Sequence, residues 1–463
     1  MAEKPGAPDQ KSHRRRRPNT RPKGKSGAAP RTASAPAKPG LAARRAALQI
    51  LRGVLEEKTQ LSDLLGPQGA LAGLDPADRA RAQRLAATTL RQLERADTLL
   101  ERYIDRRPPL PALNILRLAA IELCVEGAAP HGVVDSAVSL MRKNRKAGQF
   151  TGLANAVLRK VAETGPELWA DLPVPALPKW LRRRIVHIYD ETIVRAIEAA
   201  HLAGAPVDLT LKDGEGAALW AEKLGAEILP TGSLRLAGSA QVTDLPGYAD
   251  GAWWVQDAAA AVPVRLLDPQ PGETILDLCA APGGKTLQLA AAGATVTALD
   301  LSKARMVRLR ENLRRTELSA TCVTADALSW DSPAPFDAVV LDAPCSATGT
   351  IRRHPDLPYV KTGKDLDQLF ALQSDLIDRA VALLKPGGRL LYCTCSLLTE
   401  EGERQAKLAM ARHGLSEIAP DCARLGLDPE VLRDGGGLRL RPDYWAERGG
   451  MDGFFMIALR KPE

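Results

Sequence analysis

The chain has 463 residues, 45% of them apolar, enough to bury two or three cores, and carries 63 basic against 55 acidic side chains for a formal charge of +8. Residues 1–40 hold eleven Lys or Arg against Glu3 and Asp9, a local +9 that leaves −1 for the rest, so the overall basicity does not by itself imply a nucleic-acid partner. Seven cysteines without the paired spacing of a disulfide framework point to a reducing compartment, and no long apolar run or N-terminal apolar segment suggests a membrane span or secretion, so a cytoplasmic protein is expected.

Residues 1–40 are low-complexity Pro, Ala, Gly, Lys and Arg with almost nothing to bury, and a disordered basic tail is expected, either an RNA tether or a solubilising appendage. From Leu41 onward apolar residues recur at three- and four-residue spacing, predicting helices over 41–57, 75–104, 112–126, 132–143 and 150–162, with Asp75 capping the second and Pro76 opening it. These form an all-α domain over 41–165. Residues 164–175, rich in Pro and acids, read as a linker, and 166–255 as that linker followed by a small α+β subdomain with helices over 180–189 and 190–203 and a strand over 207–212. Over 256–463 strands (274–278, 295–299, 320–324, 338–341, 389–393, 454–459) alternate with helices (302–316, 366–384), the pattern of an α/β domain whose ligands sit at the carboxyl ends of its strands.

The first of those strands ends in Leu276-Asp277-Leu278-Cys279-Ala280-Ala281-Pro282-Gly283-Gly284-Lys285-Thr286, a strand, a tight glycine loop and a helix. Glycine there lets a ligand approach the backbone, and the helix start offers free N–H groups. A Walker A loop would need Gly at Cys279, and Gly-x-Gly-x-x-Gly is absent. What remains is an adenosine cofactor held without a phosphate grip. Downstream, one strand delivers Asp342-Ala343-Pro344-Cys345 to the same edge and the next delivers Cys393-Thr394-Cys395-Ser396 beside it.

The run Asp277 to Thr286, with Asp342 to Cys345 and Thr394 to Ser396, resembles the RNA 5-methylcytosine methyltransferases of the NOL/NOP/Sun family. The helical region, with Pro130 to Val134 opening one helix and Gly152 to Arg159 in the last, resembles the NusB RNA-binding fold. The resemblance implies a class I, Rossmann-like methyltransferase domain behind a NusB-like one. It implies S-adenosylmethionine as cofactor, held by Cys279, Ala280, Ala281, Pro282, Gly283, Gly284, Lys285, Asp300 (ribose hydroxyls), Asp326 (adenine amino group) and Asp342. It further implies methylation at C5 of a cytosine in 16S rRNA.

That chemistry explains the cysteines. C5 of cytosine is a weak nucleophile until a thiolate adds to C6, and a base must then remove the C5 proton before the thiol leaves. A thiol of pKa about 8.5 is only roughly 3% ionised at pH 7, so neighbouring cations and the sulfonium are expected to favour thiolate, and Asp342 to steady the adduct. Strand alternation cannot choose between Cys393 and Cys395; position at the strand end favours Cys395, and the family's Thr-Cys-Ser assigns it as nucleophile, with Cys345 in product release. Cys393 reads as a buried small hydrophobe.

Arg352, Arg353 and His354 are candidates for holding RNA phosphates or else a solvated loop, and Arg142, Lys143, Arg145, Lys146 and Lys160 for an RNA face on the helical domain. Cysteine and histidine spacing gives no metal site. The alternatives are the same chemistry on tRNA or 23S rRNA, and a non-catalytic NusB-like RNA-binding or antitermination factor.

Overall fold

The computed structural model describes residues 40–66, 69–238 and 241–463, so the tail expected over 1–40 lies, apart from Gly40, outside the described residues. Helices Leu41–Leu55, Pro76–Arg91, Leu93–Glu101, Leu110–Cys124, Pro130–Lys143 and Thr151–Ala170 form the all-α part. Asp75 caps as expected, its Oδ1 accepting the Asp78 N–H at 2.8 Å.

The single helix expected over 75–104 is two, because the chain leaves helical geometry at Gln92 (φ −116°, ψ 24°). The bend serves two cores: Leu85 and Leu90 pack with Ile50 and Leu51, while Leu99 and Leu100 pack with Leu116 and Leu158. The helix from Thr151 continues through Pro166 to Ala170, where a linker was expected from 164. Trp169 and Leu172 bury in the second core, and burial of an indole outweighs the one hydrogen bond that proline cannot donate.

The small subdomain has helices Lys179–Ile188, Glu191–Ala203 and Ala217–Leu224 and four strands, β1 (Asp208–Leu211), β2 (Ala226–Ile228), β3 (Leu234–Leu236) and β4 (Trp253–Val255). They form an antiparallel sheet in the order β2-β3-β1-β4, closed by Leu209, Leu234 and Trp253.

After helix Ala258–Leu267 come β5 (Thr274–Leu278), β6 (Thr295–Asp300), β7 (Thr321–Thr324), β8 (Phe336–Asp342), β9 (Leu384–Thr394), β10 (Ser416–Glu417), β11 (Leu438–Leu440) and β12 (Phe454–Arg460). The sheet order is β10-β12-β9-β8-β5-β6-β7, with β11 on β12; β5 to β9 are parallel and β12 is antiparallel to β9. Ile275, Ala338 and Val340 face one core and Leu276, Leu278, Val339 and Leu341 another, which is why these strands read as unbroken apolar runs. The winding reverses between β5 and β8, so their carboxyl ends frame a crevice.

The helical domain is bonded to the segment that follows Cys345. Arg91 Nη2 donates to the Arg352 carbonyl at 2.9 Å, Tyr359 Oη to the Leu90 carbonyl at 2.9 Å, and the Leu61 N–H to Asp356 Oδ2 at 2.9 Å. No helix among the described residues is long and apolar enough to cross a membrane.

Candidate active site

The loop after β5 turns sharply at Cys279 (φ +68°) and Gly283 (φ +111°) before helix Gly284–Ala291. A Cβ on Gly283 would lie 2.9 Å from Leu309 Cγ, so this position requires glycine for space as well as for backbone geometry. Asp300, at the end of β6 and 1% exposed, accepts the Ala281 N–H at 3.1 Å, the Ser302 N–H at 2.8 Å and Arg305 Nη2 at 3.0 Å. Ser302 caps the next helix, its Oγ accepting the Arg305 N–H at 3.3 Å, and Asp300, bonded to the loop, shapes it. Asp326 stands exposed beyond β7, where one carboxylate oxygen accepts the Leu328 N–H at 3.0 Å.

Within the motif, Asp277 is wholly buried. Its Oδ2 accepts from Thr286 Oγ1 at 2.5 Å, its Oδ1 has no partner, and burial, only partly offset by that bond and by Lys285, raises the carboxyl to about 7. Burial likewise pushes the Cys279 thiol up to about 12. Lys285 reaches across the crevice to Asp342 at the end of β8, Nζ to Oδ2 2.7 Å, with Nζ 5.1 Å from the Phe454 ring centroid. Burial is the largest single influence and opposes its charge, but Asp342, Cys393 and Asp277 together outweigh it and the ammonium is retained.

Cys345 and Cys395 arrive from the ends of β8 and β9 and meet with Sγ atoms 3.3 Å apart, both half-buried and both free. The bond with Cys345, burial and then Asp342 push the Cys395 thiol well up. This corrects the expectation that cations already in place favour thiolate: Lys285 is spent on Asp342, and its pull on Cys395 is the smaller effect. Cys393 is fully buried as expected, and is also polar, its Sγ donating to Asp342 Oδ1 at 3.6 Å.

A residue that sequence reading missed joins the two cysteine loops. Glu401, fully buried, accepts the Ser346 N–H at 2.8 Å, Gln373 Nε2 at 3.0 Å and the hydroxyls of Ser346 and Ser396, the residues that directly follow the two cysteines. Sequence alone shows only one acid of the Glu400-Glu401 pair soon after Ser396. Close backbone packing adds to the lock: a Cβ on Gly349 would sit 2.0 Å from the Gly453 carbonyl oxygen.

Arg352 and Arg353 are not phosphate ligands in waiting, and neither is a solvated loop residue. Arg352 is 0% exposed, its Nε 3.0 Å from Asp452 Oδ1 and its Nη2 3.5 Å from Asp257 Oδ2. Arg353 Nε lies 3.1 Å from Asp452 Oδ2, and its Nη2 pairs with Asp257. His354 alone is exposed. On the helical domain, Lys143, Arg145 and Lys146 gather with Arg45 and Arg52 around one cleft of 440 Å³, whereas Arg142 lines a separate groove with Arg159 and His131. Lys160 lines neither. Among the described residues no group of His, Cys, Asp and Glu is arranged to hold a metal ion.

The loop and crevice suit an adenosyl sulfonium. Carboxylates stand at the ends of β6 and β8, and the buried Asp277 near the end of β5 keeps one carboxylate oxygen without a partner. Residues 264–460 match the family model for 16S rRNA methyltransferase RsmB/F, and residues 41–163 match the NusB family. A ribosomal RNA small subunit methyltransferase B from Pseudomonas putida is 36% identical over 443 residues, covering 90% of this chain and 98% of that one. The protein of the same name from Cronobacter sakazakii is 33% identical over 446 residues, with 90% and 98% covered. The crystal structure of PH0851 superposes with a TM-score of 0.69 over 92% of this chain and 99% of that chain at 24% identity, a likeness of fold. A methyltransferase homologue from Pyrococcus horikoshii superposes at 0.51 over 61% of this chain and 95% of its own, at 27% identity. With the helical and catalytic segments matched in the same order over nearly the whole of both chains, the protein belongs to the ribosomal RNA small subunit methyltransferase B family.

Proposed function

We propose that the protein transfers a methyl group from S-adenosylmethionine to C5 of a cytosine in 16S rRNA, in the cytoplasm, through a covalent adduct on Cys395. The observation that carries this reading is the pair of free thiols 3.3 Å apart at the ends of adjacent strands, beside Asp342 and the cofactor loop. Methylation of oxygen or of an exocyclic nitrogen requires neither thiol.

The bound cofactor would supply the electrophilic methyl and a positive sulfonium. Cys279–Lys285, Asp300 and Asp326 would hold it, and Lys285, paired with Asp342, fixes that carboxylate at the border between the cofactor loop and the base. Because the Cys395 thiol is raised as it stands, added positive charge in the crevice increases its thiolate fraction, which couples attack to cofactor occupancy. Cys395 Sγ, as thiolate, then bonds to C6 as the C5=C6 double bond opens, Asp342 interacts with N3 and the amino group, and C5 would take the methyl with the methyl–sulfonium bond breaking to leave a neutral thioether. Cys345, as thiolate, takes the C5 proton and becomes a thiol; the C5–H electron pair re-forms the C5=C6 double bond as the C6–S bond breaks and Cys395 leaves as thiolate. Glu401 keeps both cysteine loops in register throughout.

The test uses Cys345→Ala and Cys395→Ala with methyl-labelled cofactor and deproteinised 16S RNA, read on denaturing gels and by nucleoside analysis. A labelled protein–RNA adduct accumulates with Cys345→Ala, and neither adduct nor 5-methylcytosine forms with Cys395→Ala. Methylation by Cys395→Ala would reverse the cysteine assignment. Labelling of tRNA or 23S rRNA in place of 16S would change the substrate, and no labelling of any RNA would favour a binding factor.

A further inference from the structure

Between the small antiparallel sheet and the catalytic core lies a cleft of 400 Å³, bordered by the last turn of helix Gly284–Ala291 and therefore at the opposite end of that helix from the cofactor loop. Lys212, Arg265 and Arg424 converge on it from three distant parts of the chain. Asp268 answers only one of them, 2.9 Å from Arg424 Nη1, and among the described residues no acid lies within ion-pair distance of Lys212 or Arg265. The cleft is thus cationic, and burial together with the charge of Arg424 lowers the pKa of Arg265.

Its floor is polar and unsatisfied. Thr231, 1% exposed, and Thr210 both line the cleft, and neither side-chain oxygen has a hydrogen-bond partner. A buried hydroxyl without a partner is costly unless a ligand supplies one. The cleft is also preformed. The turn at Thr231 is closed by Gly232 N–H to the Leu229 carbonyl at 2.7 Å and Leu229 N–H to the Ser233 carbonyl at 2.8 Å. A Cβ on Gly232 would lie 2.8 Å from Arg265 Nη2, so only glycine lets that guanidinium lie against the turn, and a Cβ on Gly426 would lie 2.1 Å from the Pro230 carbonyl, which wedges the Arg424 segment onto it.

We propose that this cleft binds a backbone phosphate of the substrate RNA, at an anchoring site separate from the cytosine pocket. Guanidinium groups donate in the fork geometry that phosphate oxygens accept, and Thr231 Oγ1 adds a donor to a site that would otherwise leave it unpaired. The inference rests on the RNA reading above.

The test is equilibrium binding of deproteinised 16S RNA over a range of salt by the wild type, the Arg265→Ala/Arg424→Ala double variant and Thr231→Val, with S-adenosylmethionine binding and thermal unfolding measured alongside. The double variant is expected to lose about tenfold in affinity and to flatten the log–log salt slope by about 1, the change expected for one or two phosphate contacts. Thr231→Val should weaken RNA binding roughly threefold without lowering the unfolding midpoint, because the hydroxyl it removes has no protein partner. Cofactor binding stays unchanged in both. If the double variant does not fold, Thr231→Val decides. Wild-type affinity and slope in the variants, with an enzyme that methylates RNA, would sink the cleft alone; a wild type that neither binds nor methylates RNA would sink the RNA reading. Tight calorimetric binding of inorganic phosphate with no change in the RNA slope would make a small phosphate the ligand and overturn the proposal.

Discussion

Two short basic runs, Arg352-Arg353 after the first cysteine loop and Lys143 to Lys146 after helix Pro130–Lys143, look alike in sequence, and the fold puts them to opposite use. Around the first, Asp257 and Asp452 arrive from positions roughly a hundred residues away on either side, and four charges are sealed against one another. Around the second, Glu56 lines the same cleft but lies beside Arg52, 4.0 Å away, and among the described residues no acid is within ion-pair distance of Lys143, Arg145 or Lys146. A basic run reports a surface only when nothing distant in the chain answers it.

The comparison can be broken most directly at Arg352. Arg352→Ala leaves two buried carboxylates facing one guanidinium and is expected to cost about 3–5 kcal/mol in denaturant unfolding, whereas Lys143→Ala should stay within roughly 0.5 kcal/mol of wild type. Equal effects would mean that the buried pairs are not sealed from water.

A pH experiment sharpens it next. His201 is buried beside this cluster, and burial, then Arg352 and Arg91, lowers its pKa to about 3, so folded protein keeps it neutral where the unfolded chain protonates it below about 6.5. Its contribution is complete above pH 6.5 and is lost as pH falls toward 3, because only the unfolded state takes up the proton. Between pH 7.5 and 5 the wild type should lose about 2 kcal/mol more than His201→Asn. A parallel pH profile in the two proteins would show that His201 titrates freely.

A smaller effect tests whether the helical domain holds the loop in place. Tyr359→Phe removes the hydroxyl bonded to the Leu90 carbonyl and should cost about 1 kcal/mol of stability while raising hydrogen exchange in the segment around Arg352. Smallest in stability is the triple Lys143→Ala/Arg145→Ala/Lys146→Ala variant. It should unfold like wild type while its RNA binding flattens in salt dependence by about 1–2; an unchanged slope would remove that face from the RNA path.

Much of the catalytic edge was legible because it is written locally. The glycine loop needs Gly283 for a backbone turn, an unbroken apolar run must be a buried strand, and a strand's carboxyl end is the next residue along, so Cys279 to Lys285, Asp300, Asp342, Cys345 and Cys395 could each be placed at one edge. The helices of the first domain were legible in place but not in number or ends: the break at Gln92 and the stretch after Glu163 depart from the expected pattern because two cores, not the local sequence, decide where a turn is worth keeping.

The state of those residues was decided elsewhere. That Cys395 is a raised thiol and not a prepared thiolate depends on a 3.3 Å approach between two loops and on Lys285 being taken by Asp342. Glu401 is one acid among 55 in the sequence and becomes the tie between both cysteine loops only when β8 and β9 lie side by side. Sequence by itself determined which backbone conformations and which reactive atoms reach the crevice, since those follow from neighbours in the chain. Only the tertiary structure decided which charges are neutralised and which are free, because Coulomb interactions and burial depend on distance in space, and Arg352, Asp257 and Asp452 are neighbours in no other sense.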